Sequence, residues 1–220
     1  MPKAPSPNSV DNSITRKVKQ SAPGSVFTTS DFTSFGGNAA VEKSLTRLVN
    51  RGLLRRLARG LYDKPRHSDM FGILWPTPED VIKAICDRDK IRVQPAGVHA
   101  ANMLGLSEQV PAKHVFLTDG VSRMVKAGPM RIALRHTSPR NMATAGRFSG
   151  LLIQAFKSLG PRHIDKFHLA HLKKNIPPKE MKGLVQDLDA APAWMRPLFM
   201  ELAGTPRSKR MKTLAERPEP

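Results

Sequence analysis

The 220-residue sequence predicts an α+β fold, and three observations lead to this fold class. Segments with the apolar spacing of helices alternate with short runs of β-forming residues along the chain. Up to residue 64 these segments follow the order helix, strand, helix, turn, helix, hairpin. From residue 78 onward, strands and short helices come first and longer helical patterns fill the remainder, which predicts a mixed α/β domain with a small sheet and a helical C-terminal part.

Composition shifts divide the chain into five segments. Residues 1–10 are rich in proline and serine and are expected to be disordered. A first folded domain covers 11–64, and a connector at 65–77 carries the apolar stretch MFGILW, which we expect to dock the two halves together. A second domain covers 78–203. A basic, proline-containing tail, 204–220, is again expected to be disordered.

The first domain opens with three short elements. Residues 11–19 predict a helix, and Val26–Thr28 predicts a strand because β-branched and aromatic side chains dominate it. A second short helix is expected at 30–34, with Ser30 as its N-cap. A glycine pair at 36–37 then predicts a turn.

A helix with a basic outer face follows this turn. Apolar residues recur at i, i+4, i+7 and i+8 from Val41, which is the stripe that an α-helix buries against a core. Asn38 is expected to be the N-cap, and Gly52 the left-handed residue beyond the helix end. The opposite face combines cations, hydrogen-bonding groups and one small residue: Ala39, Lys43, Thr46, Arg47 and Asn50.

Two short runs around a three-residue connection, 58–60, predict a hairpin over 53–63. A basic helix face alone is most often only a solvated face, but the order of the elements favours a winged helix-turn-helix that binds duplex DNA. Arg and Lys on such a helix reach guanine O6 and N7 in the major groove, while arginines of the hairpin hold phosphates. The residues expected to face the major groove are Lys43, Thr46, Arg47 and Asn50. Those expected to contact phosphate or an adjacent minor groove are Arg51, Arg55, Arg56 and Arg59.

The charge of the chain favours a polyanionic partner. The formal net charge is +18 and the sequence pI is about 10.7, with the densest positive charge in residues 1–66. A membrane surface is disfavoured because the sequence has no run of about 20 apolar residues, no signal-peptide pattern and no long cationic amphipathic helix with aromatic residues on its other face. RNA is disfavoured because aromatic residues, on which bases would stack, make up only 5% of the chain.

The second domain is predicted to contain a helix that opens at Thr77 with proline and two acids in its first turn and runs to about Arg88. The further elements expected are a strand at 91–94, a short helix at 97–104, a strand at His114–Thr118, a hairpin of 122–126 with Met130–His136, a helix at 149–159 and two or more helices up to 203.

No catalytic, cofactor-binding or metal-binding residues are predicted, so we expect a protein that is not an enzyme. A nucleotidyltransferase needs Gly-Ser followed closely by Asp-x-Asp, and Gly24 has no such pair behind it. The acidic pair around Arg88 is interpreted as a solvated helix end. His168 and His171 share a helix face, but two lysines follow at once and disfavour a divalent ion. The single cysteine, Cys86, excludes an internal disulfide and favours a reducing, cytoplasmic location.

Four stretches of the sequence carry a likeness to a known family: VFTTSDF, VEKSLTRLVNRGLLRRLARGLYDKP, QPAGVHAANMLGLSEQVPAKHVFLTDG and GPMRIALRHTSPR. They span residues 25–164, and the block 95–120 is the most distinctive part. The chain resembles the AbiEi-type antitoxin family of bacterial type IV toxin–antitoxin systems, which act in phage defence. The resemblance implies a winged helix that represses its own operon and a C-terminal domain that counteracts a nucleotidyltransferase-like toxin encoded next door.

The partners that the resemblance implies are operator DNA, with inverted repeats read by a homodimer, and the toxin, which classical family members antagonise without a stable complex. Three alternatives stay open at this point. In the first, the second domain binds its toxin directly and DNA binding is secondary. In the second, the chain is a stand-alone winged-helix transcription regulator. The third, which the sequence supports least, is association with RNA or the ribosome.

Overall fold

The computed structural model describes residues 9–109 and 111–204, and the protein has the α+β fold that the sequence predicts. The tails expected to be disordered, 1–10 and 204–220, lie outside the described residues except at their inner ends. Within the described ranges, no helix is both long and apolar enough to cross a membrane.

The N-terminal part of the chain alternates helices with short antiparallel strands. In chain order its elements are α1 (Val10–Gln20), β1 (Val26–Thr28), a 3-10 helix (Thr29–Phe35), α2 (Asn38–Asn50), β2 (Arg55–Ala58), β3 (Leu61–Asp63), β4 (Arg66–Ser68), β5 (Gly72–Leu74) and α3 (Pro78–Asp89). The first three strands pair in the order β1-β3-β2, and β4 pairs with β5. The predicted order helix, strand, helix, turn, helix, hairpin is therefore present, and the second of the three helices is a 3-10 helix.

The helices α1 and α2 and the 3-10 helix share a core with one face of the three-stranded sheet. Tyr62 on β3 lies opposite Phe27 on β1 and Arg56 on β2, so these three side chains share a face. The core on that face comprises Ile14, Val18, Phe27, Phe32, Val41, Leu45, Leu48, Leu54 and Tyr62. Because β2 is the edge strand, Arg56 lies at the border of this core and is exposed.

The ends of α2 follow from local sequence. The helix begins one residue earlier than predicted, because Gly37 is the N-cap and Asn38 is already helical. At the other end, Gly52 adopts φ +70 as predicted, which is a conformation that favours glycine. Its N–H donates to the Val49 carbonyl at 2.9 Å, and the Leu53 N–H donates to the Leu48 carbonyl at 3.0 Å. These two bonds form a Schellman motif that fixes the direction in which the chain enters the hairpin.

One expectation about the first domain is wrong. The short second helix is a 3-10 helix capped by Thr28 and not by Ser30, because Asp31 accepts hydrogen bonds from the Thr28 N–H at 2.6 Å and from its hydroxyl at 2.9 Å. The connector contains a hairpin of β4 and β5, which the sequence did not predict. The apolar residues of that hairpin are exposed, with Met70 at 84% and Phe71 at 75% of their full accessibility.

The rest of the described chain forms a four-stranded sheet and a helical core. Its elements are β6 (Val93–Ala96), α4 (Val98–Met103), β7 (His114–Thr118), β8 (Arg123–Ala127), β9 (Met130–His136), α5 (Pro139–Met142), α6 (Phe148–Leu159), a 3-10 helix (Pro161–His163), α7 (Lys166–Asn175), α8 (Pro178–Gln186), a 3-10 helix (Ala193–Met195) and α9 (Arg196–Leu202). The strands pair in the order β6-β7-β9-β8. The buried helix α6 packs against α4, α8 and β6.

The described chain divides into two compact units. The first unit contains the residues up to Ile91 together with Met124–Ile132, and the second contains Arg92–Arg123 and the residues from Ala133 onward. The first unit thus extends beyond the boundary expected at residue 78, because α3 packs against β1. The first unit holds all of the residues that the sequence singles out for DNA contact.

Candidate nucleic-acid interface

The outward face of α2 carries the four residues predicted to lie in a major groove. Lys43, Thr46, Arg47 and Asn50 are all exposed. Their orientation is set by Val41, Leu45 and Leu48, which are 0% exposed on the opposite face. The shared exposed face is therefore confirmed, whereas contact with DNA stays a prediction. Thr46 uses its hydroxyl hydrogen within the helix, donating to the Glu42 carbonyl at 2.9 Å, and so presents an acceptor to the outside.

At one edge of this face, a carboxylate on α1 forms ion pairs with two arginines of α2 and its C-cap. Arg47 Nη1 lies 3.6 Å from Asp11 Oδ1, and Arg51 Nη1 lies 3.7 Å from Asp11 Oδ2. The Asp11 side chain is 16% exposed, while those of Arg47 and Arg51 are 55% and 51% exposed. Both arginines are thus drawn toward α1 by charge attraction, with the rest of each guanidinium open to solvent. Asp11 is not among the predicted site residues, because its only signal in the sequence is its place in the first turn of α1.

Arg55 has a structural role in place of the predicted phosphate contact. Its Nε donates to Asp63 Oδ1 at 3.0 Å, and its Nη2 donates to Asp63 Oδ2 at 2.6 Å and to the Leu74 carbonyl at 2.8 Å. Its guanidinium also stacks over the Trp75 ring at 3.8 Å. Because the Asp63 side chain is 0% exposed, its charge needs a partner inside the protein, and Arg55 is that partner. We therefore no longer count Arg55 among the candidate DNA contacts.

Arg56 and Arg59 remain available on the same hairpin. Successive residues of a strand point to opposite faces, so Arg56 projects away from the Asp63 side on which Arg55 lies. Arg59 lies in the connection between β2 and β3, next to Gly60 with φ +67. Among the described residues, neither guanidinium has an ion-pair partner. Both are exposed, so an external anion can reach them.

A cleft of about 460 Å³ separates α2 from the β2–β3 hairpin. It is lined by Thr29, Glu42, Thr46, Arg56, Arg59, Gly60, Tyr62 and Arg88. Arg88 comes from α3, which the sequence analysis assigned to the other domain, so its presence was missed. Its Nε donates to Asp89 Oδ1 at 2.6 Å and its Nη2 to Asp89 Oδ2 at 3.2 Å. This hydrogen bonding raises the pKa of Arg88 above its ordinary value and keeps it charged.

The histidines considered as metal ligands have other contacts. Asp165 is the N-cap of α7 and accepts a hydrogen bond from the His168 N–H at 2.9 Å, which lowers the pKa of its carboxyl. His168 Nδ1 lies 2.8 Å from the same carboxylate, and His171 Nε2 lies 3.1 Å from the Leu104 carbonyl. Residues 9–109 and 111–204 contain no cluster of three or more His, Cys, Asp or Glu side chains suited to a metal ion.

Comparison with known proteins places the chain in a family. A sequence model of that family matches residues 13–184. The chain belongs to DUF6088, a family of unknown function. No protein of curated function matches the sequence of this DUF6088 protein. Among solved structures, it is similar to the RV2827C protein from Mycobacterium tuberculosis, with a TM-score of 0.48 and 14% identity over 96% of the DUF6088 chain and 82% of that protein.

Proposed function

We propose that this protein is a DNA-binding antitoxin that represses its own operon and counteracts a nucleotidyltransferase-like toxin. The observation that carries the DNA-binding part is the set of exposed cations that α2 and the β2–β3 hairpin present side by side around one cleft. Lys43 and Arg47 project from the helix, and Arg56 and Arg59 project from the hairpin without an ion-pair partner among the described residues. Such a surface suits a polyanion with a helical groove.

The arrangement of the elements supports a winged helix-turn-helix. A strand precedes the helix pair, and a hairpin follows it and pairs with that strand in the order β1-β3-β2. In this proposal α2 is the recognition helix and the β2–β3 hairpin is the wing. The helix reads base edges in the major groove, while the wing arginines hold phosphates of the flanking backbone.

The antitoxin part rests on the resemblance of residues 25–164 to AbiEi-type antitoxins. In this proposal the protein acts in the cytoplasm, where operator DNA and toxin are both present, and binds inverted repeats as a homodimer. The first unit represses transcription, and the second unit counteracts the toxin.

The exposed apolar side chains of the β4–β5 hairpin favour a second candidate, in which the protein binds its toxin directly. Met70, Phe71 and Ile73 are 84%, 75% and 53% exposed, and exposed apolar clusters of this kind often mark protein contacts. Co-purification of the two full-length proteins at moderate salt separates the candidates. A stable complex that Phe71→Ser abolishes would support direct binding, whereas two separate elution peaks would support antagonism without a complex.

DNA binding is tested with the full-length protein by fluorescence anisotropy. The probes are a labelled duplex from the region upstream of its own gene and a scrambled duplex of equal length, each measured at several salt concentrations. We expect tighter binding to the upstream duplex and a steep loss of affinity for both as salt rises. Equal affinity for the two duplexes would mean that the protein binds nucleic acid without sequence preference and would reject its role as a repressor. Absence of binding at low salt would reject the whole proposal.

A further inference from the structure

We propose that the cleft between α2 and the β2–β3 hairpin binds one phosphodiester group of the DNA backbone, and that Arg88 of α3 is one of its contacts. This inference rests on the proposed DNA binding and deepens it. It adds a phosphate-binding site between α2 and the β2–β3 hairpin, and it adds a contact from α3. Without such a site, α2 and the hairpin would contact DNA as two separate surfaces.

Guanidinium groups from three different elements line the cleft. Arg56 comes from β2, Arg59 from the β2–β3 connection, and Arg88 from α3. Guanidinium is the side-chain group best suited to phosphate, because its planar N–H donors match two phosphate oxygens at once. A cleft of about 460 Å³ is larger than a phosphate group and has room for the adjoining sugar.

The backbone at Gly60 keeps the cleft open. Its φ is +67, and a Cβ at this position would lie 3.3 Å from the Thr29 hydroxyl oxygen. A side chain at residue 60 would be strained and would crowd the Thr29 side of the cleft. The absence of a side chain therefore leaves access to a backbone that approaches from the hairpin side.

Arg88 is already oriented before any ligand arrives. Asp89 accepts from its Nε at 2.6 Å and from its Nη2 at 3.2 Å, so two of the roughly five N–H donors of the group are used. The remaining donors, including both on Nη1, are available to an anion. Because Asp89 fixes the plane of the guanidinium, less side-chain entropy is lost on binding than for a free arginine.

The charge of the site matches a phosphodiester. The cleft contains the guanidinium groups of Arg56, Arg59 and Arg88 and the carboxylate of Glu42, and Asp89 is bound to Arg88. These groups leave a single positive charge, which equals the single negative charge of a backbone phosphodiester. A free phosphate monoester near neutral pH carries about two charges and would meet Glu42 with more repulsion.

The test compares Arg88→Gln with Lys83→Gln. Lys83 is an exposed cation on the same helix that does not line the cleft, so both variants lose one positive charge from α3. Affinity for a random-sequence duplex is measured by anisotropy at several salt concentrations. We expect Arg88→Gln to lower the slope of log K against log salt by about one and Lys83→Gln to leave the slope unchanged. Equal slopes for the two variants would overturn the assignment.

Two further measurements keep the result unambiguous. Arg59→Gln lies in an exposed connection and is expected to lower the slope as Arg88→Gln does, so the cleft remains testable if one variant misfolds. Inorganic phosphate is compared with chloride at equal ionic strength as a competitor. Selective displacement of DNA from the wild type, but not from Arg88→Gln, would show that phosphate and the DNA backbone compete for the cleft and would support the assignment. Equal displacement from both proteins would place the phosphate contact elsewhere and count against the cleft. Wild-type protein without affinity for any duplex would reject the proposed function itself, whereas binding with equal variant slopes would reject only this inference.

Discussion

The Arg55 guanidinium donates to both carboxylate oxygens of Asp63, across the two strands of the β2–β3 hairpin, at 3.0 and 2.6 Å. The Asp63 side chain is 0% exposed, whereas that of Arg55 is 21% exposed and covered on one side by Trp75. The pair therefore joins the two strands on one face of the sheet, while its neighbour Arg56 points to the other face and is exposed. Arg55 thus stabilises the hairpin on which Arg56 is exposed.

The first prediction concerns stability. Arg55→Ala leaves the buried Asp63 carboxylate without its partner, and removal of one member of a buried pair typically costs about 3–5 kcal/mol. We expect the free energy of unfolding to fall toward that range, measured by urea denaturation followed by circular dichroism. Arg56→Ala is the control, because it removes a neighbouring exposed arginine and is expected to change stability by less than about 0.5 kcal/mol. Equal losses for the two variants would contradict the assignment of Arg55.

The elements that the sequence predicts well are those whose signal is local. The apolar stripe of α2 from Val41 to Leu48 needs only the helical period, and Gly52 identifies its end. The helix α3 opens as predicted because the Thr77 hydroxyl accepts from the Asp80 N–H at 3.2 Å while Asp80 returns the bond. In each case the partners lie within one turn of each other.

The site could be predicted only in part, because its remaining contacts join distant segments. Whether Arg55 or Arg56 lies beside Asp63 depends on the register of β2 against β3. The sequence does not determine this register, because it shifts at a bulge between Arg56 and Ala58. Asp11 reaches Arg47 only because α1 packs against α2. Arg88 joins the cleft only through the packing of its helix on β1. None of these relations has a fixed sequence spacing.

The second prediction tests base recognition by α2. Arg47→Ala removes an exposed guanidinium from the predicted groove face, and loss of one specific base contact costs about 1–3 kcal/mol of binding free energy. We expect weaker binding to the upstream duplex and tolerance of substitutions at one base position, measured with a panel of single-base variants. Equal losses on upstream and scrambled duplexes would show that Arg47 contributes charge alone.

The third prediction separates the wing from the helix. Arg56→Ala is expected to weaken binding to all duplexes alike and to lower the salt slope by about one, because a phosphate contact carries no sequence information. The measurement is anisotropy with upstream and scrambled duplexes over a series of salt concentrations. A loss confined to the upstream duplex would place Arg56 at a base edge and contradict its role as a backbone contact.

The fourth prediction concerns the Asp11 carboxylate between Arg47 and Arg51. Asp11→Asn removes a negative charge that lies 3.6 and 3.7 Å from the two guanidinium groups and nearly preserves the shape of the side chain. Both arginines then present more positive potential to a phosphate backbone, so we expect tighter binding to scrambled duplex and a smaller preference for the upstream duplex. The ratio of the two affinities is measured at one fixed salt concentration.

Asp31→Asn is the matched control, since Asp31 belongs to the same unit and caps the 3-10 helix, whereas the ion pairs of Arg47 and Arg51 in the described residues are with Asp11. The two variants change the net charge equally. Asp11→Asn alone is expected to lower the preference for the upstream duplex, because only Asp11 limits how Arg47 and Arg51 approach DNA. An equal effect of both variants would mean that net charge accounts for the change. An unchanged ratio in Asp11→Asn would mean that the carboxylate has no part in positioning the recognition face.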